Sequence, residues 1–222
     1  MRVLAALGLA LASLAAHGQA QLEARDDAVI FRGRIDGASA EAFRRLLQDP
    51  RITRLVITSS GGLVAPALDM AEAIHARGLD VEVPSACLSS CANYVFPAGR
   101  RKRLGHPLAV GWHGNMAHVL YLQRAGLATW PEPQLASARL LAQREAELYR
   151  RLGVDGFLCW FGKIAPYDAP EFYTLSVADM ARFGVRDVEV LVERPPEGDL
   201  PRLLAVDWQR LEADRPPMRL VP

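Results

Sequence analysis

The chain has 222 residues, half of them hydrophobic and 23% charged, with a formal net charge of +1. This is the composition of an ordinary folded domain, which excludes a disordered chain, a collagen and a multi-span membrane protein. Near-zero charge also excludes a bulk electrostatic attraction to nucleic acid or acidic lipid. Lys102 and Lys163 are the two lysines among 26 basic side chains, so a mechanism needing a neutral amine has two candidates.

Met1 and Arg2 precede an apolar run from Val3 to Ala16 and then His17-Gly18-Gln19-Ala20. A basic start, an apolar stretch too short to span a bilayer and small residues at its end describe a secretory leader over residues 1–20, cut after Ala20. No Cys follows the cut, so no lipid anchor is indicated. The expected product is exported, periplasmic or secreted, with no membrane attachment once cut. Its basic and acidic side chains balance at 25 each. In an oxidising compartment Cys87, Cys91 and Cys159 allow one disulfide and leave one thiol, and their spacing does not choose the pair. Three cysteines without a nearby histidine at ligand spacing predict no metal site.

Ala28 to Ile35 reads as a strand. Ser39 to Leu47 reads as a helix, with Ser39 as N-cap and Asp49-Pro50 as its stop. Leu55 to Thr58 is a short buried strand running into Ser59-Ser60-Gly61-Gly62. From Val64 the apolar positions Ala67, Leu68, Ala71 and Ile74 recur at helical spacing up to Gly78, a C-cap. Val81 to Val83 is a strand, Cys87 to Ser90 a turn, Cys91 to Ala98 a short helix and Leu108 to Trp112 a strand ending at His113. Pro133 to Leu152 predicts a long helix with Leu135, Leu140, Leu141, Leu148 and Leu152 on or near one face. Gly156 to Ile164 is a second helical piece, Phe172 to Leu175 a strand, and Ser176 caps a short helix to Phe183. Val185 to Val192 closes the domain, and residues 195–222 form a Pro-rich appendage. Strands alternating with helices over residues 21–194 predict one α/β domain with a mainly parallel sheet flanked by helices.

Three segments sit where strands end, the place where sites collect in open α/β folds. Gly61-Gly62 permits positive φ and close approach of backbone N–H groups, which suits an oxyanion hole, although a pair of glycines alone more often marks a tight turn. Ser85 to Tyr94 places serines at the start of a short helix, whose N-terminal N–H groups attract an anion. A serine there is by itself commonly only an N-cap. Val110-Gly111-Trp112-His113-Gly114-Asn115 carries a histidine at a strand end, the one histidine with a site-like setting.

Taken in order, these segments resemble the Clp protease proteolytic subunit and its crotonase-fold relatives, over about Leu55 to Asp187. Ser59-Ser60-Gly61-Gly62 is similar to the family's Gly-Gly turn, and Ser90-Cys91-Ala92-Asn93-Tyr94 with Ala98-Gly99 to its nucleophile helix. Val110-Gly111-Trp112-His113 is similar to the strand ending in its catalytic histidine, and Leu175-Ser176 through Phe183-Gly184-Val185 to its C-terminal helix and turn. The Cys-x-Ser-x-Cys of Cys87 to Cys91 resembles periplasmic relatives of this protease. The resemblance implies a crotonase-like spiral of β-β-α units and a serine peptidase without cofactor, with peptide or unfolded segments as substrate and assembly with further copies. Counting back from Ala98-Gly99 puts the nucleophile on Ser90, whereas Cys-x-Ser-x-Cys puts it on Ser89; the distance to Tyr94 favours Ser90. His113 is the implied base. Phe172 stands where the family has its acid, so Glu171 or Asp168 would have to orient His113.

In such a mechanism the histidine takes the serine proton during attack on a carbonyl, a carboxylate fixes its tautomer, and backbone N–H groups hold the oxyanion. The donors implied are Gly61 or Gly62 and the residue after the nucleophile, Cys91 if that is Ser90. Four other readings exist, one of them, acyl-CoA chemistry, by analogy of fold alone. A binding module of this fold without turnover would fit a missing acid, with a Cys87–Cys91 disulfide bracing the turn. Cys91 as a thiolate nucleophile is a further option. A Ser–Lys dyad would need Lys102, in a basic run that reads as a solvated turn, or Lys163.

Overall fold

The computed structural model describes residues 20–213, 215 and 216. The expected leader therefore lies, Ala20 apart, outside the described residues. The chain forms an α/β body whose central sheet has six strands, all but one parallel. Strand β1 (Gln21–Arg25) turns at Asp26, in the left-handed region at φ 54°, and pairs antiparallel with β2 (Ala28–Arg32). From β2 the order continues in parallel through β3 (Arg54–Thr58), β4 (Asp80–Val83), β6 (Lys102–Leu104) and β9 (Val188–Val190). Val29, Leu55, Val81, Lys102 and Val188 share one row across the sheet.

Parallel neighbours need crossovers, and helices supply them. Between β2 and β3 runs α1 (Gly37–Leu46). It begins earlier than its sequence predicts because Asp36, not Ser39, is the N-cap: Ser39 N–H donates to Asp36 Oδ1 and Asp36 N–H to Ser39 Oγ, both at 2.8 Å. Between β3 and β4 runs α2 (Val64–Arg77), ended by Gly78 in the left-handed conformation, as its spacing predicts. The crossover from β4 to β6 carries strand β5 (Cys87–Leu88), a π-helical turn (Cys91–Val95) and α3 (Phe96–Ala98). The basic run after it is strand rather than solvated turn. Lys102 is 5% exposed and its Nζ donates to the Gly99 carbonyl at 2.8 Å, which lets an apolar-row position hold an ammonium.

Past β7 (Val110–Gly111) come α4 (Met116–Arg124) and α5 (Glu132–Leu152). The buried positions of α5 are Leu135, Ala138, Ala142, Glu145, Leu148 and Tyr149, spaced by three and four. Leu140 is off that stripe and 62% exposed, contrary to expectation. Two 3-10 turns (Gly156–Cys159 and Phe161–Lys163) replace the expected second helix before β8 (Tyr173–Leu175) and α6 (Val177–Arg182), which Ser176 caps. The stretch after Pro195 is not a detached appendage in its described part. Strand β10 (Arg202–Leu204) pairs with β8, and Trp208 of α7 (Trp208–Ala213) lies 4.8 Å from the Phe183 ring and donates to Asp179 Oδ1.

Beyond the carboxyl ends of the central strands, the backbone continues into a second, smaller layer. Single bridges join Ile35 to Gly62 and Ser59 to Cys87; β5 pairs with β7; and Trp112 bridges Tyr173. This layer holds all three segments singled out above. Among the described residues no helix is long and apolar enough to cross a membrane.

Candidate active site

Register places the central pair. In the parallel β5–β7 ladder Leu88 lies opposite Gly111, and Ser89 N–H donates to the Gly111 carbonyl at 3.0 Å. One residue past β5 stands Ser89; two past β7 stands His113. Both leave the ladder on the same edge, and Ser89 Oγ lies 2.7 Å from His113 Nε2, a full hydrogen bond. Ser89 also has φ +55°, in the left-handed region that non-glycine residues rarely occupy. The chain passes there from strand to helix in one residue, which turns the hydroxyl outward; strain of this kind collects at functional sites.

Ser90, which the spacing to Tyr94 favours as nucleophile, is placed otherwise. It has helical φ and ψ, is 3% exposed, and donates from Oγ to the Gly62 carbonyl at 2.9 Å. The structure joins Ser89, not Ser90, to His113. Cys87 and Cys91 are joined by a disulfide that brackets Ser89, so Cys91 presents no thiolate. Cys159 is the free, buried cysteine, its thiol pushed up by burial and its Sγ 3.1 Å from Tyr149 Oη.

The glycine turn abuts the serine. A Cβ on Gly61 (φ +88°) would fall 2.7 Å from Ser89 Cβ and 2.6 Å from the Leu88 carbonyl oxygen, so only glycine fits. Gly61 N–H is already engaged, donating to Ser59 Oγ at 3.0 Å. The Gly61 carbonyl accepts from Ile35 N–H at 2.8 Å; in a trans peptide the Gly62 N–H therefore points away from Ile35. On the other side, the first N–H groups of the helical turn opening at Ser90 have no partner within that turn.

Among the described residues His113 has no acidic partner: no carboxylate is within hydrogen-bonding distance of its ring, and neither Glu171 nor Asp168 reaches it. The Glu171 side chain is exposed while its carbonyl accepts from Lys163 Nζ at 3.3 Å; Asp168 is exposed at φ +41°. Phe172 packs against the imidazole instead, ring centroids 4.7 Å apart. Burial first, and then the Lys163 ammonium, hold the His113 pKa below its ordinary 6.5. Lys163 is itself tied down: Nζ donates to the Ala169 and Pro170 carbonyls at 2.5 and 3.0 Å. Neither lysine hydrogen-bonds Ser89.

Three cross-links that the sequence did not suggest hold the serine turn to the histidine strand. Trp112 Nε1 donates to the Ala92 carbonyl at 3.2 Å, and Asn93 Nδ2 to the Gly114 carbonyl at 2.8 Å. Glu145, 1% exposed, accepts from Tyr94 Oη and from Met116 and Ala117 N–H. The available signal was an acidic residue set in the apolar stripe of α5. No protein-family model matches the chain, and no curated protein is significantly similar to it.

Proposed function

We propose that this protein is a serine hydrolase acting on peptide bonds through an acyl-enzyme, with Ser89 as nucleophile and His113 as base. The observation that carries this reading is the 2.7 Å Ser89–His113 hydrogen bond made by a serine in a left-handed strand-to-helix turn. His113 accepts the Ser89 proton as Oγ attacks the carbonyl carbon, then returns it to the leaving amine; water repeats the cycle on the ester. The lowered His113 pKa keeps the ring neutral and able to accept that proton at neutral pH. Gly62 N–H and Ser90 N–H are the donors proposed for the oxyanion, in place of Gly61 and Cys91. Gly61 N–H is spent on Ser59, and Cys91 is not next to Ser89. Loss of one such donor typically costs about 10²–10³ in turnover.

The strand-to-second-layer continuation, repeated at Ile35–Gly62 and Ser59–Cys87, supports a crotonase-like spiral of β-β-α units and a relationship to the Clp protease proteolytic subunit. The disulfide suits export to an oxidising compartment, periplasmic or secreted. Peptides or unfolded segments are the substrate class this reading assigns, and assembly with further copies goes with the relationship. A second reading, a peptide-binding protein of this fold without turnover, is favoured by the missing carboxylate at His113. A fluorophosphonate probe separates them: the hydrolase is labelled at Ser89, and the binding protein takes no label.

A further inference from the structure

We propose that Glu145 is a positioning residue for the Ser89–His113 pair, its buried carboxylate joining the turn behind Ser89 to the helix that begins after His113. The inference rests on the hydrolase reading above and adds a residue to it. Glu145 lies in α5, remote in sequence from both members of the pair. Its Oε1 accepts from Tyr94 Oη, on the π-helical turn that opens after Ser90, and from Met116 N–H at 3.0 Å; Oε2 accepts from Ala117 N–H at 3.3 Å. Met116 is the first residue of α4, three residues beyond His113, so the carboxylate sits at the positive end of that helix. One side chain thus fixes the spacing between two segments that must hold a 2.7 Å contact.

Burial of a carboxylate without a cation is costly, and among the described residues no lysine or arginine pairs with Glu145. The groups facing it are Tyr94 from the π turn, Tyr149 from α5 itself and Cys159 from the first 3-10 turn. All three are held protonated by burial, leaving the hydrogen bonds as its compensation. A purely packing role at this position in an apolar stripe would be filled by leucine. The three donors converging from two elements account for an acid instead.

The test compares Glu145→Gln and Tyr94→Phe with the wild type, by fluorophosphonate labelling rate per folded molecule and by NMR of the histidine rings. The His113 signals are identified by their loss in His113→Ala. A displacement of about 1 Å at reacting groups can cost ~10²-fold. The expected result is a 10- to 100-fold slower labelling in Glu145→Gln, a smaller loss in Tyr94→Phe, and altered His113 resonances with those of His75 and His106 unchanged. Wild-type labelling rates and His113 signals in both variants, even with lowered stability, overturn the inference. If Glu145→Gln does not fold, Tyr94→Phe decides by the same readouts. If the wild type itself takes no label, the hydrolase reading falls, and the His113 resonances alone decide whether Glu145 positions the ring.

Discussion

The ring of Phe172, the residue before β8, lies against the ring of His113, with centroids 4.7 Å apart. An aromatic face can hold an imidazole in place and shield one side of it, but it cannot stabilise an imidazolium as a carboxylate does. His113 is exposed to solvent on its other side, and Phe172→Ala uncovers the face that Phe172 shields, removing a share of the desolvation that lowers its pKa. The His113 titration should therefore move upward toward 6.5, and labelling at neutral pH should slow about tenfold as the ring loses its seat. NMR titration of the ring and the acid limb of the labelling rate check both effects.

Ser90 acts on the glycine turn, and its hydroxyl holds the carbonyl of Gly62. Ser90→Ala leaves that carbonyl without its donor, costing about 1–3 kcal/mol of stability. It should slow labelling without abolishing it, since the proposed donor is the backbone N–H, which alanine retains. Denaturant unfolding measured beside labelling separates the two.

The Cys87–Cys91 disulfide brackets the one residue that must hold φ +55°. Closing so short a loop stabilises by only about 2 kcal/mol on chain-entropy grounds. Its larger consequence should be local: reduction lets Ser89 relax toward ordinary φ and separates it from His113. Treatment with dithiothreitol is expected to lower the melting temperature by roughly 4–8 °C and to suppress labelling far more than the lost stability accounts for. Reoxidation should restore it. Equal labelling of oxidised and reduced protein would count against this.

Buried Glu145 and half-buried His118 pull the pH dependence of stability in opposite directions. Burial raises the Glu145 carboxyl from 4.5 to about 7, so its contribution is full below 4.5 and lost as pH rises through about 7, on the order of 3 kcal/mol in all. His118 is lowered from 6.5 to about 4 by burial, then by Lys163 and His113; its contribution is present above 6.5 and lost as pH falls through about 4. Glu145→Gln should flatten the decline between pH 5 and 8, and His118→Gln the decline between pH 6.5 and 4. Denaturant midpoints across that range read both slopes.

Much of the fold is visible in local pattern. The β3 strand, the apolar spacing of α2 and Gly78 at its end follow from periodicity and backbone preference, and they match. Strand β1 is legible in the polar–apolar alternation of Gln21-Leu22-Glu23-Ala24-Arg25 and is missed beside the leader; helix α4 escapes because it buries Leu120 alone, and β6 because its basic run reads as solvent-facing until Lys102 is seen on the Gly99 carbonyl. At the site, His113 and the Gly61-Gly62 turn stand out from composition around strand ends. The choice between Ser89 and Ser90 does not, because one residue of register decides which hydroxyl faces the histidine strand, and that register is set by β5–β7 pairing far along the chain. The packing of Phe172 on His113 is a tertiary fact that no local pattern announces.

The most direct measurement is mass-spectrometric identification of the residue modified by a fluorophosphonate probe, in the wild type and in Ser89→Ala, Ser90→Ala and His113→Ala. Modification is expected on Ser89, lost in Ser89→Ala, reduced by orders of magnitude in His113→Ala and retained in Ser90→Ala. Modification on Ser90, or no modification of folded protein, would contradict it.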